Sequence, residues 1–78
     1  MLDVSVAFGR VLRRIRTERG LSQEALAGDA GLQRKYISLL EQAAYQPKIS
    51  TVFKVAAALG YSPSAFIALV EEEQNRRR

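Results

Sequence analysis

Leu21-Ser22-Gln23-Glu24-Ala25-Leu26-Ala27-Gly28-Asp29-Ala30-Gly31-Leu32-Gln33-Arg34-Lys35-Tyr36-Ile37-Ser38-Leu39-Leu40-Glu41 is the stretch that decides how this chain folds. Ser22 is a good N-cap, with Glu24 in the first turn that follows. Leu26 and Ala27 fall on the inner side of that helix. Gly28 within it costs about 1 kcal/mol relative to alanine, and close backbone packing is the reading offered for it. Gly31 makes a tight turn, and Leu32 plugs it. The next helix starts at Gln33 and runs to Gln42. With Ile37 at the centre of its inner face, 100° per residue puts Leu40 and Glu41 inside. Lys35, Ser38, Leu39 and Gln42 then point outward, and Arg34 stands at the edge.

Outward from this pair the punctuation gives three more helices. Val4, Phe8, Val11, Leu12 and Ile15 recur at helical spacing and form the apolar stripe of a first helix, about residues 4–19. Gly20 ends it, Leu21 folds back on it, and Arg16 and Arg19 lie in its last turn, where cations complement the helix dipole. The second and third helices are the pair above, about 22–29 and 33–42. Ala43 to Lys48 is a loop containing Pro47. A fourth helix, about 50–59, carries Val52, Val55, Ala56 and Leu59 on one face, with Gly60 closing it and Tyr61 as a latch. Ser62 caps a fifth, about 63–75, with Pro63 at its first position. Its end, 71–78, reads as a charged, solvated helical tail. Glu72–Arg76 and Glu73–Arg77 are four residues apart there, each pair worth about 0.2–0.5 kcal/mol. The expectation is an all-α, compact five-helix fold and a single domain spanning 1–78.

Composition narrows the function. Twelve Lys and Arg against eight Asp and Glu give a net charge of +4, which favours a polyanionic partner, although three of the cations are the terminal Arg76, Arg77 and Arg78. Cysteine and histidine are both absent. That removes disulfides and the usual thiolate and imidazole metal ligands, so neither a metal nor a cofactor is expected. With no glycine-rich phosphate loop and no carboxylate pair in a cleft-forming context, the chain does not read as an enzyme. No apolar run approaches the roughly 20 residues of a membrane span. No basic region precedes the first apolar residues, as a secretion signal requires. A cytoplasmic location follows as an expectation. A chain this short buries only about 60% of its unfolded surface, so dimerisation would help it.

Two helices joined by a short glycine turn, the second opening on Gln33, Arg34 and Lys35, form a helix-turn-helix pattern. In that motif the second helix enters the DNA major groove. Arg34 and Lys35 would be a solvated surface pair elsewhere, but after this turn base or phosphate contact is the favoured reading. Arg34 is the main candidate base reader, since bidentate Arg to guanine is worth roughly 1–3 kcal/mol of discrimination. Lys35 is shared between base and phosphate.

Gly20-Leu21-Ser22-Gln23-Glu24-x-Leu26-Ala27, then Gly31-Leu32, Tyr36-Ile37-Ser38, Leu40-Glu41, Pro47 and Ala56-x-x-Leu59-Gly60, resembles the five-helix DNA-binding domain of lambda-type phage repressors, Cro and Xre-like regulators, over about residues 5–68. The resemblance implies base-facing positions at Gln33, Arg34, Lys35, Ser38 and Leu39. It implies phosphate contacts at Gln23, whose place at a helix N-terminus suits an anion. Ser22, Tyr36, Gln42, Tyr45, Gln46 and Lys48 complete that set. It also implies a structural ion pair between Arg16 and Glu41 that aims the reading helix; catalysis by Glu41 is the disfavoured alternative. Two positions depart from the pattern. Leu39 replaces a long polar side chain and can only touch a thymine methyl. Ala43 stands where a glycine usually follows the third helix, so the loop carrying Tyr45 and Gln46 is expected to take another shape.

A regulator of this size resembles the controller proteins of restriction–modification systems, which act as dimers. Phe53, Ile67, Leu69 and Val70 are left over after the inner faces are assigned and are the candidate dimer contact. Arg10, Arg13, Arg14 and Arg19 form either a phosphate-facing patch or a solvated face. The function implied is a sequence-specific regulator of transcription, bacterial or phage in type and associated with the nucleoid. It would be a homodimer on a pseudopalindromic site. It would repress by covering a promoter, activate by presenting a surface to RNA polymerase, or do both. The alternative is an antitoxin or adaptor that uses the same fold to bind a protein.

Overall fold

The structure, a computed structural model, describes residues 1–76. Five helices follow one another: α1 (Val4–Glu18), α2 (Gln23–Ala30), α3 (Arg34–Glu41), α4 (Ile49–Ala58) and α5 (Pro63–Gln74), with no strand among the described residues. Every expected helix is present, each end within one residue of its expected place: Arg19, Ser22, Gln33, Gln42, Leu59 and Asn75 are caps rather than helical residues, while Ala30 and Ile49 each extend a helix by one.

Local chemistry sets most of the boundaries. Asp3 accepts the Ser5 N–H at 2.7 Å to start α1. Ser22 accepts from Ala25 at 3.0 Å to start α2, and Ser62 accepts from Ala65 at 3.1 Å to start α5, ahead of Pro63. Such caps are each worth about 0.5–2 kcal/mol. The ends of α1 to α4 share one closure, in which two N–H groups just past the helix fold back on carbonyls of the last turn. At the α2–α3 turn Gly31 takes φ 69° while Leu32 N–H reaches Ala27 O at 2.8 Å. After α3 the left-handed residue is Ala43, at φ 60°. Its N–H reaches Leu40 O at 3.1 Å, and the Ala44 N–H reaches Leu39 O at 2.9 Å. The altered loop shape expected from Ala43 is therefore not found at this turn: the alanine adopts the glycine conformation, held by both closing hydrogen bonds.

The core gathers Phe8, Leu12, Leu26, Ile37, Leu40, Leu59 and Phe66, all buried. Helix α1 runs through the middle, against α5 on one side and α3 on the other, while α2 and α4 close over α3 and α5. Phe8 and Phe66 meet edge to face at 5.6 Å between ring centres, joining α1 to α5. Gly9 lets α1 lie close against the end of α3. A Cβ there would stand 2.7 Å from Leu40 O and 2.8 Å from Glu41 O, inside contact distance of backbone.

Three expectations on α2 and α5 need correction. Around Gly28 a Cβ would meet nothing within 4 Å, so close packing does not account for this glycine and nothing else in the structure explains it. Val70 is only 4% exposed and belongs to the core, and Leu69 is half-buried against it, so neither is on open surface. The reason is the face that α5 turns to α1: Phe66, Val70 and Glu73 point in, at helical spacing. Glu73 is therefore not solvated. Its side chain is 4% exposed, with Arg14 at 3.1 Å, Arg76 at 2.8 Å and Arg10 at 3.7 Å. Arg76 thus pairs with Glu73 rather than with Glu72, and the expected Glu73–Arg77 pair lies outside the described residues.

Candidate nucleic-acid interface

Helix α3 has a fixed end and a free end. The fixed end is Glu41, whose carboxylate accepts from Arg16 Nε at 2.6 Å and Arg16 Nη2 at 3.0 Å, a two-pronged pair from α1. Both side chains are largely removed from water, Arg16 to 11% exposure and Glu41 to 4%. The third arginine nitrogen, Nη1, donates to Leu21 O at 2.8 Å, tying in the α1–α2 turn. The hydrogen bond from Arg16 to Glu41, opposed by burial and helped by the carboxylate charge, lifts the guanidinium further above its already high ordinary value. The expected structural pair is thus formed, and no orphaned buried side-chain polar atom remains among the described residues.

The free end is the tip. Gln33, Arg34 and Lys35 are all exposed. Gln33 occupies the N-cap without a side-chain hydrogen bond, and Lys48 does the same before α4. So the two helices that border the outer face begin without the side-chain caps that start α1, α2 and α5. Ser38 and Leu39, one turn along, are half-buried, and Ser38 Oγ accepts from Gln42 Nε2 at 3.1 Å.

The structure brings part of the candidate set into one open concavity between α3, the following loop and α4. From α3 and its cap come Gln33, Lys35, Tyr36 and Leu39; from the loop come Tyr45, Gln46 and Lys48. Tyr36 braces this surface, its hydroxyl 3.3 Å from the buried Thr51 Oγ1 and its ring 6.3 Å from that of Tyr45. Arg34, Ser38 and Gln42 lie outside the concavity, along a neighbouring row of α3 at four-residue spacing. Ser22 and Gln23 stand apart, at the start of α2. Ser22 Oγ is occupied in capping, and Gln23 Nε2 donates to Glu41 Oε1 at 3.1 Å, so the amide is held by the same carboxylate that anchors Arg16.

The arginines of α1 divide. Arg10 and Arg14 face Glu73, and Arg19 sits 5.4 Å over the Tyr61 ring. Arg13 alone of the four is exposed without such a partner among the described residues. Two contributors escaped the sequence reading. Lys54 lines the concavity from α4, and Gly9 sets the approach of α1 to α3. A glycine beside Phe8 in an apolar stripe was the available signal for the second.

The sequence and fold that carry this arrangement are matched among known proteins. A family model described as helix-turn-helix, HTH_3, covers residues 12–66. The chain belongs to this Xre and lambda-repressor-type family. It is 42% identical over 72 residues to the immunity repressor protein of Bacillus phage phi105, a match that takes in 88% of this chain and 50% of the repressor. The chain thus spans half the length of that relative. Among solved structures, the restriction–modification controller protein C.AhdI from Aeromonas hydrophila superposes with TM-score 0.76 at 39% identity, covering 80% of this chain and 94% of that one. The controller protein C.Esp1396I, solved as a tetramer with its natural 35-base-pair operator, gives TM-score 0.87 at 26% identity over 97% of this chain and 100% of that one. The matched range takes in α2, the Gly31 turn, α3 and α4.

Proposed function

We propose that this HTH_3 chain is a sequence-specific, double-stranded-DNA-binding regulator of transcription, acting in the cytoplasm at the nucleoid as a homodimer on a pseudopalindromic operator. The observation that carries this reading is the exposed Gln33-Arg34-Lys35 tip on a helix whose far end is fixed by the buried Arg16–Glu41 pair. A reading helix must hold its side chains against base edges without losing much freedom on binding, and a mount of this kind reduces that loss.

In this reading Arg34 takes a guanine edge and Gln33 an adenine edge, the pairings that side-chain geometry favours. Lys35 and Ser38 add polar contacts, and Leu39 meets a thymine methyl. Gln23, Tyr45, Gln46 and Lys48 hold phosphates and so fix position rather than sequence. Gln23 keeps one amide hydrogen for this purpose beyond the one given to Glu41.

Selection from a pool of random duplexes tests the proposal. The expected product is an inverted repeat whose half-sites lie about one helical turn apart, roughly 34 Å. On the selected site Arg34→Ala is expected to cost about 1–3 kcal/mol and to relax preference at one base pair. Failure to enrich any sequence at low salt would overturn the proposal. An equal loss on all sequences would move Arg34 from base to phosphate.

A further inference from the structure

We infer that Lys54, on α4, is a further DNA-backbone contact, one that extends the phosphate-binding face beyond the loop. The inference rests on the DNA-binding reading above. It comes from how the cations are distributed. Arg10, Arg14 and Arg76 are committed to Glu73, and Arg16 to Glu41. Arg19 lies over an aromatic ring. Lys35, Lys48 and Lys54 form no salt bridge among the described residues, and all three line the same concavity. No aspartate or glutamate lines it with them. Arg13 on α1 and Arg34 at the edge of α3 also lack a carboxylate among the described residues, but the three lysines without one are gathered in a single acid-free concavity beside the outer face of α3.

The geometry fits a strand of duplex backbone. Lys35 stands on α3, Lys48 caps α4, and Lys54 lies six residues further along, about 9 Å of helix rise beyond. With α3 in the major groove and Gln33 and Leu39 turned to the bases, the backbone that borders the groove would run along the loop and α4 side of the concavity, past Lys48 and Lys54. DNA carries about one phosphate per 3.4 Å along each strand, so several phosphates fall within its span. Lys54 is exposed and has a flexible four-carbon stem, which suits a point-charge contact to phosphate rather than the recognition of a base.

The test compares wild type, Lys54→Gln and Lys54→Arg on the duplex enriched by selection, with the affinity measured over a range of KCl concentrations. Each protomer of a bound dimer would lose one contact in Lys54→Gln. The slope of log affinity against log salt is therefore expected to become shallower by about 1.8, at about 0.9 per phosphate. The preferred sequence should stay the same, and Lys54→Arg should restore the wild-type slope. A wild-type slope in Lys54→Gln, or an altered base preference, overturns the assignment while leaving the DNA reading in place. Wild type that binds no duplex selectively overturns both.

Discussion

Ala43 is the residue at which local preference and the fold disagree. At φ 60° its Cβ is crowded against backbone, at a cost of about 1–2 kcal/mol. Two hydrogen bonds at the end of α3 hold it there. Ala43→Gly removes that crowding but makes the unfolded chain freer, by about 0.4–1 kcal/mol. The net expectation is a gain of about 0.5–1 kcal/mol, read as a thermal midpoint higher by about 2–8 °C. An unchanged or lower midpoint would show that the alanine is not strained. Gly9 works in the opposite direction. Alanine is the better helix former by about 1 kcal/mol, yet its Cβ would press on the carbonyls of Leu40 and Glu41. Overpacking against backbone costs about 1–3 kcal/mol, so Gly9→Ala should lower stability by up to about 2 kcal/mol in urea titration. A stability gain would mean that α1 and α3 separate easily. These two positions also show what the sequence can reveal. Ser22 and Gly31 were legible because the groups they satisfy lie within three or four residues. Gly9 was not, because the backbone it admits is some thirty residues away.

At the scale of elements, α1 is held to α3 and α5 by one carboxylate each, and the two ties differ in kind. Arg16 and Glu41 were legible in sequence through the family pattern, and both are buried. Removing either strands the other, at about 3–5 kcal/mol. Glu73 reads in sequence as part of a solvated run, because Glu71, Glu72 and Glu73 are chemically alike. Only the docking of α5 on α1, which brings Glu73 to Arg14 across 59 positions, selects which of them turns inward. The same docking hides Val70. Burial pushes the Glu73 carboxyl up, but the hydrogen bond from Arg14 and the charges of Arg76, Arg14 and Arg10 outweigh it, so the carboxyl ends below its ordinary value. The burial is shallow, since the arginines covering it are 38–61% exposed. A carboxylate lowered in the folded state adds stability above its unfolded pKa, about 4.3, and loses it as pH falls through the folded value. Glu73→Gln should therefore cost about 1–2 kcal/mol at pH 7, discounted for solvent around the arginines. Thermal midpoints of the two proteins should converge as pH falls below the ordinary carboxylate range. A gap that stays constant with pH would mean the tie is steric rather than ionic.

The backbone spans 33 × 24 × 24 Å, so one copy reaches along about a single turn of duplex. Reading a two-part site takes two copies side by side, with their α3 helices about 34 Å apart. That spacing is close to the molecule's own long dimension, so direct contact between neighbours is geometrically natural. Candidate contact surface exists. Ile49 and Phe53, 72% and 55% exposed, lie four residues apart on one side of α4, and Ile67 is 44% exposed on α5. Of the four residues expected at a dimer contact, Phe53 and Ile67 remain available, Leu69 and Val70 serve the monomer, and Ile49 joins from the start of α4. A small core gains from burying such residues, and a symmetric pair would bury each of them twice. Phe53→Glu places two like charges near the contact and leaves the monomer core untouched. By sedimentation it should shift dimer to monomer while the far-ultraviolet helix signal is preserved. Affinity for the full inverted repeat should then fall towards that for an isolated half-site, because the second copy no longer arrives at the high local concentration set by the first. A variant that remains dimeric and keeps full-site affinity would exclude Phe53 from the contact and move the search to Ile67 and the outer face of α5.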